Sequence, residues 1–235
     1  LYKAFFWRNV LSTRYDQGFL TQMSTDLKSL IEILEEGGSI SKKDWVGFSE
    51  KRLDPIFNKK PIPNQEQIIN LALDGRVAGA LKSGLEVRLY ARPKKDLLNP
   101  QESVEFDLDN DVQVHHIFPK KWIASNRSGE LKKYLESAND LGKSPENCAA
   151  NLMPLTAKSN EDWLDKEPCA VLEEVGITYK ENKEQLHENF IDEECFAFLS
   201  EDYPPNNAHV EKFWQSRANL IADDLLDQTR VQAPE

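Results

Sequence analysis

The chain has 235 residues, 40% of them hydrophobic and five of them Trp, with a formal net charge of −11. That content supports a folded core and excludes a disordered chain. No apolar run approaches the roughly 20 residues of a membrane span, and three cysteines without a C-x-x-C pair exclude a zinc knuckle or a disulfide frame. The acidic balance argues against a nucleic-acid partner, but the charge is polarised. Residues 1–113 hold 16 basic and 17 acidic side chains, residues 114–158 hold 7 and 4, and residues 159–235 hold 6 and 19. One face can therefore meet phosphate while another repels it.

The opening Leu1–Trp7 run is short, aromatic and followed by Arg8, unlike a secretory signal. The chain does not begin with Met, so a fragment of a longer protein is expected. Ser24 is positioned to cap a helix carrying Leu27, Leu30, Ile31 and Leu34, with Gly37-Gly38 at its end. Ser41, with Asp44 three residues on, reads as the N-terminus of a helix through Trp45, Phe48 and Leu53. Asn64 reads as the cap of another, through Ile68, Ile69, Leu71, Leu73 and Val77, after a connector with Pro61 and Pro63. Beyond Pro93 the period changes to two. Val104–Leu108 alternates, Asp109-Asn110-Asp111 offers turn chemistry, and Val112–Val114 resumes the alternation, which predicts a short hairpin leading into His115 and His116.

A charged helix is expected around Leu131, Tyr134 and Leu135. Asn151–Leu155 reads as a second extended piece, and a helix starting at Ser159 or Asn160 follows it. The last predicted helix carries Phe213, Trp214, Leu220, Ile221, Leu225 and Leu226. The expected fold class is α+β, mainly helical, with a small embedded two-strand motif. The expected segments are a helical one over 1–95, the motif with a helical insertion over 96–170, and a helical one over 171–235, all packing as one integrated domain.

The chemistry concentrates at His115-His116-Ile117-Phe118-Pro119, followed by Asn151 and Asn160. A hydrolytic metal site needs a ligand and a neutral base close together, and the histidine pair supplies both types at the end of a β-type run. Strand alternation sends neighbouring side chains to opposite faces, so both can serve one site only if the strand stops there, as Pro119 suggests. Cys148 lies near this site and reads as a small buried thiol. His187 and His209 sit among acidic residues and read as surface residues. Asp107, Asp109 and Asp111 are possible additional ligands, although a hairpin turn explains them more simply.

The sequence His115-His116-Ile-Phe-Pro119 with Asn151 and Asn160 resembles the HNH, or ββα-metal, endonuclease motif. The resemblance implies that His115 and Asn160 bind a metal, His116 activates water, and Asn151 holds the loop or His116. Phe6-Trp7-Arg8, Arg14-Tyr15, Thr25-Asp26-Leu27 and Phe213–Arg217 resemble the C-terminal nuclease region of GmrSD-type, modification-dependent restriction proteins, a layout shared by SspE-like proteins. This implies a bacterial cytoplasmic DNA endonuclease of antiphage defence. Its partners would be phage DNA and a ParB-like NTPase and sensor domain elsewhere in the full-length protein, with no membrane involved. The implied cofactor is one divalent ion, Mg²⁺ or Mn²⁺, with Ni²⁺, Co²⁺ or Zn²⁺ as further choices. Lys120, Lys121, Arg127, Lys132 and Lys133 are the candidate phosphate contacts. Two alternatives remain: a non-catalytic DNA-binding or assembly module, and an RNA-directed nuclease toxin.

Overall fold

The computed structural model describes residues 1–16, 18–105, 111–200 and 207–233. They divide into two compact units, residues 1–68, 78–84 and 223–235 in the first and residues 69–77 and 85–222 in the second. Neither unit is one continuous stretch of chain, whereas the sequence reading divides at residues 95 and 170.

The first unit holds α1 (Tyr2–Ser12), α2 (Phe19–Gly37) and α3 (Lys42–Leu53). Ser41 caps α3 as expected, its hydroxyl oxygen accepting from the Asp44 N–H. Asn64 and Gln67 cap each other reciprocally, each side-chain oxygen accepting the other's backbone N–H at 2.9 Å. That box opens α4 (Gln65–Ala72), which stops short of Val77. At the turn that follows, Gly75 lies so close to the Ser144 carbonyl and to Asn147 that a Cβ would collide with backbone.

The expected start of α2 needs correction. Gly18, in the left-handed region at φ 67°, precedes Phe19, and Ser24 lies inside the helix. The burial of that helix also differs from its sequence pattern. Leu30 and Ile33 are buried, but Leu27, Ile31 and Leu34 are 55%, 45% and 56% exposed.

Ala4, Phe5, Leu30, Leu53, Phe57 and Val231 form the core of this unit. Arg8, Arg14, Tyr15 and Asp26 hold this unit together. Arg14 grips the buried Asp26 through two nitrogens at 2.7 and 2.8 Å, and the Tyr15 hydroxyl donates to the same carboxylate. Arg8 donates to Glu50, to Asp54 and to the Thr229 carbonyl. A carboxylate with 2% exposure is costly to bury without a partner, and the Arg14 fork supplies one with matched geometry.

After α5 (Gly79–Ala91), the second unit contains the sheet. The strands β1 (Val112–His116) and β2 (Leu152–Thr156) pair antiparallel, with His115 opposite Met153 and His116 opposite Leu152. The helices α6 (Lys120–Ser125) and α7 (Gly129–Asp140) lie in the connection between them, and α8 (Ala157–Trp163) follows β2 directly. Among the described residues the partner of Val112–Val114 is β2. Residues 106–110 of the predicted hairpin, with Asp107 and Asp109, lie outside the described residues, while Ser103 bridges to Lys95. The chain continues through α9 (Pro168–Val175), α10 (Lys183–Glu188), α11 (Glu193–Ser200) and α12 (Ala208–Gln228).

The fold is thus mainly helical with one small antiparallel sheet, an α+β arrangement. Among the described residues no helix is long and apolar enough to cross a membrane.

One surface expectation is overturned, and a second buried polar group joins it. His209, in the first turn of α12, is buried against Phe118 and Trp122 rather than exposed, and burial lowers its pKa to about 4. Arg217 is fully buried. It donates to the carbonyls of Asn189, Ala149, Ala150 and Leu152, and so pins the backbone on both sides of Asn151. Burial lowers its pKa to about 10, which leaves it charged at neutral pH. His187 is exposed as expected, with its Nε2 2.7 Å from the Tyr179 hydroxyl.

Candidate functional site

The site forms where β1 ends. Gln113 and His115, two residues apart, share a strand face. A single side chain of α8 meets both: the Asn160 Oδ1 lies 2.7 Å from His115 Nδ1, and the Asn160 Nδ2 donates to Gln113 Oε1 at 2.8 Å. A hydrogen bond to that oxygen requires the Nδ1–H tautomer of the neutral ring. Asn160 reaches the strand because α8 starts earlier than expected. Thr156 is its cap, accepting from the Ser159 N–H, so Asn160 sits one turn inside the helix rather than at its cap.

His115 is buried beside Trp163, with ring centroids 4.7 Å apart and the planes tilted by 46°. Burial lowers its pKa to about 4, opposed by the Asn160 contact, so the ring is neutral at pH 7. Its Nε2 is buried and has no hydrogen-bond partner among the described residues.

His116 is half-buried and has different neighbours. Burial, then the Lys120 cation, hold its pKa below the usual value, while Asn147 and Glu146 pull the other way. Asn160 and Asp96 are the polar groups about His115, whereas Lys120, Asn147 and Glu146 stand about His116. The pair thus offers one enclosed imidazole and one accessible imidazole, on opposite faces at the strand's last two residues.

Asn151 is fully buried and secures the loop after His116. Its Oδ1 accepts from the Phe118 N–H at 2.9 Å, and its Nδ2 donates to the carbonyls of Phe118 and Glu146 at 3.1 and 2.9 Å. Of the two roles implied for it, it takes that of holding the loop.

Asp96 was not singled out from the sequence, although it braces the other side of the site. Its buried carboxylate accepts from the N–H groups of Leu98, Asn99 and Thr156 and from the Ser159 hydroxyl, fixing the junction of β2 and α8. An Asp followed by Leu-Leu-Asn is a common turn signal, so nothing in the sequence marks it as a partner of residues some sixty positions away. Gln113, Asn147 and Glu146 were missed for the same reason.

The candidate phosphate contacts are dispersed and mostly engaged. Lys121 pairs with Asp165 at 2.8 Å and Lys133 with Glu130 at 2.7 Å, while Arg127 and Lys132 both approach Glu136 at 3.9 Å. Only Lys120 of the five lacks a carboxylate partner among the described residues, and it is also the one beside His116. The Lys132–Glu136 spacing of four was legible in the sequence. Exposed pairs of this kind are weak and exchange readily for phosphate. Cys148 is a buried thiol whose pKa burial pushes up to about 12, which keeps it unreactive.

Among the described residues no three of His, Cys, Asp and Glu converge as a possible metal site. The His115–Asn160 pair fits a more open arrangement. Two adjacent ligands about 2.1 Å from an octahedral ion stand about 3.0 Å apart, close to the 2.7 Å between these atoms. The ring is also neutral, as a ligand must be.

Comparison with protein-family models, curated proteins and solved structures finds no match for the chain. The likeness to the ββα-metal endonucleases therefore rests on the residues themselves.

Proposed function

We propose that the chain is a divalent-metal-dependent DNA endonuclease of the ββα-metal type, acting in bacterial antiphage restriction. The observation that carries the reading is the meeting of His115 Nδ1 and Asn160 Oδ1, 45 residues apart, next in the chain to a second histidine that ends β1 just before a loop locked by Asn151. Phosphodiester hydrolysis needs an activated water and charge relief at the phosphate. His115 and Asn160 would hold the ion, which when bound would polarise the scissile phosphate and stabilise the leaving oxygen. His116, neutral and partly open to solvent, takes the proton from the attacking water. Asn151, Asp96 and Arg217 hold the two strand ends in place, and Lys120 is free to meet a flanking phosphate.

The test is incubation of supercoiled plasmid with the wild type and His116→Ala across several divalent ions and in chelator. Nicked or linear product from wild type alone is expected. DNA binding without cleavage under every ion would overturn the endonuclease reading in favour of a binding module, and cleavage of RNA alone would favour the toxin reading.

The donor set also predicts metal preference. An imidazole and an amide oxygen suit Mn²⁺ better than Mg²⁺, which prefers oxygen ligands and retains its water. Activity with Mn²⁺ should at least equal that with Mg²⁺, and His115→Asp should shift the preference toward Mg²⁺. Cleavage undiminished in excess chelator would refute the metal assignment.

Replacing Lys120, Lys121 and Arg127 together by Ala should weaken binding evenly across sequences. It should lower the slope of log affinity against log salt by up to about 0.9 per lost phosphate contact. Titrations at several salt concentrations measure this, and an unchanged slope would place the DNA on another face.

A further inference from the structure

Eight of the thirteen large hydrophobic side chains left exposed among the described residues lie on α1 and α2. Five of them, Leu20, Met23, Leu27, Ile31 and Leu34, recur at helical spacing as one stripe. With a rise of about 1.5 Å per residue the stripe runs about 21 Å along α2. Beside it, between α1 and α2, lies a groove of about 390 Å³ whose lining includes Phe5, Phe6, Val10, Met23 and Leu27. An apolar face of this extent marks a contact surface. Its core side is already occupied: Leu30 and Ile33 bury the neighbouring face of the same helix.

We infer that this face binds a second copy of the chain, with the two α2 helices packed antiparallel about a two-fold axis near Ile31. Two observations select this occupant. The first is area. Scaling the exposed fractions of the eight side chains by areas on the order of 150–250 Å² each gives about 800 Å² per copy, the half-interface of a standard stable complex. The second is charge. Along α2, after the buried Asp26 that Arg14 pairs, Lys28 is followed by Glu32, Glu35 and Glu36. Neither Lys28 nor Glu35 has an ion-pair partner among the described residues, and both flank the stripe on its solvent side. An antiparallel pairing centred near Ile31 places Lys28 opposite Glu35 of the second copy, twice by symmetry, and nests Leu27, Ile31 and Leu34 of each helix against the other. A parallel two-fold would instead put the Lys28–Glu35 flanks of the two copies on opposite sides of the contact, where Lys28 and Glu35 cannot pair. An isologous contact of this kind closes on itself as a dimer. The inference does not depend on the nuclease reading.

Sedimentation of the whole 235-residue chain from about 1 to 100 μM tests it, and a dimer is expected. Ile31→Lys, at an exposed position, should weaken association by at least about 100-fold while leaving the helical spectrum unchanged and the melting temperature equal to that of the dilute wild-type monomer, because it removes a central apolar contact. If that variant melts early, Leu27→Gln takes its place with the same expectation. Lys28→Glu should weaken the dimer by about 3–10-fold, and Lys28→Glu with Glu35→Lys should restore it. A monomer throughout the range, which would leave the face to a different partner, overturns the inference. So does a dimer unaffected by either apolar substitution. A double variant no tighter than Lys28→Glu alone overturns the antiparallel register.

Discussion

His116→Ala should lower plasmid cleavage by about 10²–10⁴-fold while leaving DNA binding and the fold nearly unchanged, because removing a general base costs that much in rate. The side chain is half-buried and carries no packing role comparable to that of His115, so its loss opens no large cavity. The pH profile provides a second measurement of the same role. Burial and Lys120 hold the imidazole pKa below its usual value, so the active, neutral form predominates at pH 7. The rate should rise with pH through that lowered pKa and level off above it. Lys120→Ala removes a positive charge that disfavours protonation, so the rising limb should move to higher pH. Wild-type nicking by His116→Ala would remove this residue from the mechanism, and a rising limb that stays in place in Lys120→Ala would separate the limb from His116.

Asn151→Ala should destabilise the protein by about 2–4 kcal/mol, the cost of stranding several buried polar groups. The Phe118 N–H and the carbonyls of Phe118 and Glu146 all lose their side-chain partner at a fully buried position. Asn151→Asp keeps the acceptor for the Phe118 N–H but aims a buried carboxylate at two carbonyl oxygens, so it should be at least as damaging. Denaturant unfolding measures both effects. Cleavage should fall as well, because the loop that follows His116 is no longer fixed. A variant with wild-type stability would mean that other contacts hold the 117–118 segment.

Much of the local structure was legible before any coordinates. Ser41 and Asn64 announce helix starts because a side-chain oxygen there meets N–H groups two or three residues ahead. The order of histidine pair, buried asparagine and helical asparagine also stands in the chain, and the structure brings His115 and Asn160 within 2.7 Å. What could not be read was set by groups distant in sequence. Val112–Val114 reads as a strand, but strand alternation alone names no partner, and its pairing with β2 comes from the tertiary structure. The helical period of α2 identified an apolar stripe but not which part the core would cover, so Leu30 and Ile33 are buried while Leu27 and Ile31 are exposed.

Sequence by itself therefore determined helix caps, the change of period near Pro93 and the residue types available for chemistry, since these depend on neighbours within a turn or two. Only the tertiary structure decided that Asp96 braces α8, that Arg217 pins the backbone around Asn151 and that Lys121 is paired with Asp165. Those contacts join residues 44 to 67 positions apart. They form only where the packed core brings the segments together, and no local pattern in the chain records such a meeting.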